Sequence, residues 1–230
     1  MTEVFEAASS KRETWFMQSL CMSRENYIQP VSALLGLHLG ISIALLVGFL
    51  SSAEARQPDP IPPLAPVVSD TIALARVPSH VKTQRGLHLV LDRSIRQLMV
   101  LKDGVLLHRY PVAVGTDGWE TPAGRHRVFQ RIVNPGWEHI SNGKLIAPGP
   151  TNPLGSRWIG FYQDCMPRRN VWDGERYLTT EGCAVIGFHG TPHRWTVGRA
   201  VTHGCVRLYD EDVRELFELV ERGTLVTILP

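Results

Sequence analysis

Two short segments of this chain hold residues that could perform acyl transfer together: Thr202-His203-Gly204-Cys205-Val206-Arg207-Leu208 and, upstream, Phe188-His189-Gly190-Thr191. A thiol is a strong nucleophile only when deprotonated, and an imidazole folded against it can take the proton. The pairing predicts chemistry through a thioester, with Cys205 as nucleophile. His189 would act as the base that later returns a proton to a leaving amine. The main-chain amides around Gly204 and Cys205 are the natural donors to the negative charge that a tetrahedral intermediate gathers beside its nucleophile. Arg207 has two readings. Its guanidinium fork matches a substrate carboxylate, and it equally suits a structural ion pair with Asp210 or Asp212. A rival chemistry would use His189, His193, His203 and Cys205 as zinc ligands, since the residue types suit that metal. The compact Cys-x-x-Cys arrangement is missing, however, and a zinc-held thiolate is a poor free nucleophile, so neither metal nor cofactor is expected.

The order and wording of these segments resemble the catalytic signature of the L,D-transpeptidase (YkuD-domain) family. The likeness extends upstream through Thr121-Pro122-Ala123-Gly124, Asn134-Pro135-Gly136-Trp137 and the run Pro148 to Gly160, so it covers roughly Leu87 to Pro230. The resemblance implies a mainly β fold, a β-sandwich-like catalytic domain with a short helix next to the catalytic strand. It assigns the nucleophile to Cys205 and the base to His189, and gives the Gly190 carbonyl the task of orienting the imidazole, as a carboxylate does in other triads. Gly204 belongs to the oxyanion loop, and His203 lines the site. The substrate-side candidates it offers are Arg207, Thr202, Thr191, Arg157 and Trp158, the last two equally readable as wall residues.

The substrate implied is the peptidoglycan stem peptide, as donor and as acceptor. A second stem's amine would give an L,D cross-link, water an L,D-carboxypeptidase, and a protein lysine the attachment of a lipoprotein to the wall. An inactive wall-binding domain that keeps the fold is a further alternative. The sequence departs from the family pattern at His126, where an aromatic residue is common, at Ala123, where threonine is frequent, and in a stretch before His189 that looks like an insertion.

The elements that must position these residues are mostly strands. Leu87 to Leu91, Gln97 to Leu101 and Val105 to Leu107 are short apolar-rich runs, the last two separated by an Asp103-Gly104 hairpin turn. Further strands are expected at His126 to Val133, Trp158 to Tyr162, Ala184 to Phe188 and Leu225 to Leu229. One helix is expected, with Asp210 as N-cap, acids in its first turn, Val213, Leu216, Phe217 and Val220 on one face, and Gly223 as its stop.

The chain before Leu87 reads as targeting and tether. Residues 1–55 contain an apolar run, Val31 to Leu50, with Lys11, Arg12 and Arg24 before it and Ala53-Glu54-Ala55 after it, the order of a secretory signal. The run approaches the ~20 residues that span a bilayer, so an uncleaved anchor is the alternative, and Met22 is a second candidate start. Either way the catalytic domain is exported, to the periplasm or cell wall. Residues 56–86 are read as a proline-rich spacer, within which Gln57 to Val68 is an unstructured tether, and residues 87–230 as the catalytic domain.

With 43% hydrophobic and 20% charged residues, the 230-residue chain suits one globular domain with appendages. A net charge of +2 with scattered arginines offers no basic block for nucleic acid.

Four cysteines complete the reading. If Cys21 leaves with the leader or lies before an anchor, the exported part keeps three, and one thiol stays free. Since the family motif falls on Cys205, Cys165 and Cys183 are expected to pair and close the stretch between them, a bridge worth ~3 kcal/mol if unstrained. Two unpaired buried cysteines are the alternative.

Overall fold

The structure is a computed structural model of the full chain, and it describes residues 61–138, 144–165, 169–172, 177–180 and 184–230. The apolar run Val31 to Leu50, the cleavage motif, Cys21 and Cys183 lie outside the described residues. None of the described helices is long and apolar enough to cross a membrane.

Two sheets face each other. The first has five strands in the order β3 (Val105–Pro111), β2 (Gln97–Lys102), β1 (Leu87–Asp92), β15 (Leu225–Leu229) and β5 (Gly124–Arg127). The second has four, in the order β14 (Val206–Arg207), β12 (Ala184–His189), β9 (Arg157–Asp164) and β6 (Gln130–Val133). Alternation along β1 and β2 sets the layers, because successive side chains leave opposite faces of a strand. Leu89, Leu91, Leu98 and Val100 point into the core shared with Ile159, Phe161, Phe188 and Val206 of the second sheet. Val90, Met99 and Leu101 point the other way, into a separate apolar cluster.

That outer cluster is covered by two short helices, α1 (Asp70–Arg76) and α2 (Ser79–Lys82), through Ala73, Val77 and Val81. The later part of the expected spacer therefore carries helical structure. Even the spacer's prolines are docked: the Ala65 N–H donates to Gly198 O at 2.8 Å, and Arg96, Arg109 and Arg199 donate to the carbonyls of Pro63, Val68 and Pro62. Proline withdraws backbone donors but leaves its carbonyls, and two guanidinium groups, of Arg96 and Arg199, use them here.

The expected hairpin forms between β2 and β3, with Asp103 and Gly104 both at positive φ (53° and 81°), as a two-residue primed turn requires. The single strand expected over His126 to Val133 is instead two strands in different sheets. The Val128 N–H bonds Thr224 O, whereas the Phe129 N–H bonds Gly160 O, so the chain changes sheets between neighbouring residues. No glycine or proline stands at Val128–Phe129 to mark the switch.

Helix α3 (Asp210–Leu219) buries Val213, Leu216 and Phe217 against the core between the sheets. Its N-cap is Tyr209 rather than Asp210, and it ends at Leu219 with Val220 extended, ahead of Gly223. Two further pairings bear on the site: β4 (Val114–Gly115) runs parallel to β13 (Ala200–Thr202), and β7 (Trp137–Glu138) pairs with β8 (Leu145–Ile146). Within the stretch before His189 that looks inserted, β10 (Arg169–Trp172) and β11 (Tyr177–Thr180) form an antiparallel ladder.

Candidate active site

The site lies on the face of the four-stranded sheet turned away from the core. His189 ends β12 in register with Trp158 of β9 on one side and Arg207 of β14 on the other. Register partners share a face, and Val206 pairs with Phe188 one step earlier, so Cys205, immediately before β14, lies on the His189 face beside Gly187. Burial agrees: Cys205 packs in one apolar cluster with Trp137, Leu154, Trp158 and Val185, and the His189 ring stacks on Trp158 at 5.9 Å between centroids. Gly187 is obligatory at this crossing, since a Cβ there would meet the Trp158 ring at 2.9 Å.

The imidazole of His189 is 1% exposed. Its Nδ1–H donates to the Gly190 carbonyl at 2.6 Å, which fixes the proton on Nδ1 because a carbonyl can only accept. Nε2 is buried and makes no hydrogen bond among the described residues. Burial, with the positive charge of Arg207 beside it, pushes the His189 pKa down to about 3 against the pull of the Gly190 carbonyl. The ring is thus neutral at ordinary pH, with an open lone pair on Nε2, the state a general base must be in.

Gly190 is held from behind. A Cβ on it would run into the Asp210 carboxylate and meet Val213 at 3.2 Å. The same carboxylate accepts the Ser156 N–H at 2.7 Å and pairs with Arg214 at 2.7 Å. Instead of capping its own helix, Asp210 ties the turn after His189 to the start of β9.

The loop before the cysteine is wound by Thr202, whose hydroxyl donates to Cys205 O at 2.6 Å and accepts the Gly204 N–H at 3.2 Å. The Gly204 amide, one of the expected oxyanion donors, thus bonds the Thr202 hydroxyl here. Gly204 itself has φ 110° and backs onto Ile186, which leaves no room for a side chain. From the other side Thr121 Oγ1 donates to Gly204 O at 2.8 Å and accepts the Gly115 N–H at 3.2 Å.

The expected substrate-side residues are mostly wall. Trp158 is fully buried and donates Nε1–H to Gln130. Thr191 accepts the His193 N–H, Thr202 is consumed by its own loop, and Arg207 is 2% exposed beside His189. Arg157 donates to Ser156 O at 2.9 Å, with its guanidinium near the Phe217 ring. Asp210 is bonded to Ser156 and Arg214, as described above.

What sequence reasoning missed is Trp119. It is 40% exposed and meets the His203 ring edge to face at 4.6 Å between centroids. The only signal was an aromatic residue in a glycine-containing loop, Gly115 to Thr121, with no pattern to connect it to His203.

Both described cysteines, Cys165 and Cys205, are disulfide-bonded, and none of the described cysteines is free. This corrects the expectation that Cys205 carries a free thiol. A disulfide sulfur cannot attack a carbonyl, so only a reduced Cys205 could serve as a nucleophile. The expected Cys165–Cys183 bridge involves a residue outside those described. Of the zinc alternative, no group of three or more His, Cys, Asp or Glu residues able to hold a metal occurs among the described residues.

In this sandwich of two sheets, His189 pairs in register with Arg207, two residues after Cys205. The chain matches the L,D-transpeptidase catalytic domain family, YkuD, over residues 87–228, and it belongs to that family. It is 32% identical over 141 residues to the L,D-transpeptidase homologue YqjB of Bacillus subtilis, covering 61% of this chain and 70% of that protein. To YkuD of the same organism it is 27% identical over 141 residues, covering 61% and 65%. To YbiS of Escherichia coli it is 29% identical over 132 residues, covering 52% of this chain but only 36% of that protein. Among solved structures, an L,D-transpeptidase from Stackebrandtia nassauensis matches with TM-score 0.44 at 19% identity over 68% of this chain and 62% of that one. LdtMt1 in complex with imipenem matches with TM-score 0.43 at 18% identity, covering 63% and 59%.

Proposed function

We propose that this protein is an exported, cysteine-dependent peptidoglycan L,D-transpeptidase. The reading is carried by the buried His189, whose Nδ1 is locked to Gly190 and whose Nε2 is open on the face shared with Cys205, in a chain of this family.

In the reduced protein, His189 Nε2 takes the Cys205 proton as the sulfur adds to the carbonyl of the L-centre that precedes a terminal D-amino acid. Collapse of the tetrahedral intermediate breaks the C–N bond, and the imidazolium delivers its proton to the departing amine. The thioester then accepts an amine from a second stem, which loses its proton to His189 and restores the thiol. The neutral resting state of His189 suits both proton transfers, because the group that must accept first is never already charged. The apolar run Val31 to Leu50 supplies the route out of the cytoplasm.

Incubation of the thiol-reduced protein with muropeptides tests this. Wild type should release D-alanine and form 3-3 linked dimers, Cys205→Ala should do neither, and His189→Ala should lower the rate by ~10²–10⁴. Identical products from wild type and Cys205→Ala, or none from either, would refute it. Intact mass after exposure to a carbapenem gives a second readout, with one adduct on wild type and none on Cys205→Ala.

A further inference from the structure

We propose that Trp119 is a substrate-contacting residue, the wall against which a stem peptide's aliphatic flank is laid next to the nucleophile. This rests on the transpeptidase reading and deepens it.

The loop carrying Trp119 is fastened to the catalytic loop at three places. The Thr116 N–H donates to Thr202 O at 3.0 Å, Thr121 Oγ1 donates to Gly204 O at 2.8 Å, and the Trp119 ring meets His203. Its own turn is closed by the Trp119 N–H on Thr116 O at 2.8 Å, and Gly115 is required because a Cβ there would run into the Trp119 carbonyl. A loop so bound cannot fold its indole away, yet the indole stays 40% exposed. An exposed tryptophan held rigidly presents a large apolar surface at low entropic cost to whatever binds.

Of the substrate-side residues expected from the sequence, Trp158, Thr191, Thr202 and Arg207 are buried and offer no such surface. Because His203 precedes Cys205 by only two positions, anything that covers Trp119 lies within a residue or so of the bond under attack. That region of the substrate is peptide, with methyl and methylene groups, and not sugar. Donor and acceptor stems share this chemistry.

The experiment uses full-length Cys205→Ala protein, which binds without turnover, titrated calorimetrically with a free stem tetrapeptide as donor and a free tripeptide as acceptor. Trp119→Ala in that background should weaken one of the two by about tenfold, and Trp119→Phe should recover most of the loss. The affected peptide identifies the stem that Trp119 serves. In the active protein the same change should raise KM for that stem with kcat within about twofold. Unchanged affinity for both peptides, or a fall in kcat with KM unmoved, would overturn the proposal. Binding that depends on Trp119 in a wild type that releases no D-alanine would keep this contact and remove the transferase reading.

Discussion

At the scale of single residues, the site is governed by how tightly the His189 proton is placed. A carbonyl can hold the imidazole in one tautomer as well as a carboxylate can, and without a negative charge that would raise its pKa. The arrangement works only if Gly190 stays where it is, and the Asp210 carboxylate fills the space behind it. Gly190→Ala should therefore cost ~1–3 kcal/mol by overpacking and lower kcat more than it raises KM, since the displaced carbonyl is the one that orients the base. Adding Asp210→Ala removes the obstacle. The double variant should recover part of the loss, although Asp210→Ala alone is itself destabilising because it strands the Ser156 N–H. Urea unfolding and D-alanine release across the four proteins measure that coupling; strict additivity would mean that the two residues do not meet.

At the scale of elements, strands were legible where apolar alternation and a turn signal coincided. β1, β2, β15 and the Asp103-Gly104 hairpin are of this kind. The sheet switch at Val128–Phe129 was not, because no turn residue marks it and only long-range partners tell the two strands apart. Cys205 and His189 were legible as types, and their shared face follows from register, which no local pattern encodes. The helix was legible in its buried face but not in its cap, since a capping Asp and one bonded across to Ser156 look alike in sequence.

Helices α1 and α2 escaped notice because a proline-rich approach hides two turns whose apolar residues have meaning only against β1 and β2. The joint between that layer and the sheet is Arg76, ion-paired with the fully buried carboxylate of Asp92 at the end of β1. Burial alone would raise the Asp92 pKa, but hydrogen bonds from Arg76, Ser94 and the Ile95 N–H outweigh it and hold the carboxyl below its usual range. Arg76→Ala should destabilise by ~1–3 kcal/mol, as when one partner of a partly buried pair is removed. A depressed carboxyl pKa contributes stability above the unfolded value of ~3.9 and loses it as pH falls. The gap between wild type and Arg76→Ala should therefore be full at pH 6 and narrow below pH 4, as read from urea midpoints. A gap that is constant with pH would assign the effect to lost packing.

For the whole molecule, two histidines buried uncharged, one in each sheet, set its response to acid. His88, 2% exposed and bonded to Thr227 Oγ1 at 2.8 Å, has its pKa lowered to about 4, first by burial and then by Arg125 and His80. His189 is lowered to about 3. Both unfold to ~6.5. Between the folded and unfolded values the unfolded chain binds more protons, so stability rises with pH there: it is complete above 6.5 and is lost as pH drops toward 4.

Each site contributes a slope of up to ~1.4 kcal/mol per pH unit, and two over two units amount to ~5 kcal/mol, comparable with the whole stability of a small domain. Asp212, raised by burial and by the charges of Glu211 and Glu215, acts in the opposite direction, one group against two. The protein should therefore unfold at markedly lower urea at pH 4.5 than at pH 7. His88→Gln, which can keep a hydrogen bond to Thr227 but cannot take up a proton, should lose roughly half of that pH dependence while leaving the catalytic face untouched. If His88→Gln and wild type shift equally between the two pH values, His88 is not one of the groups that holds this fold against acid, and the remaining burden falls on His189 alone.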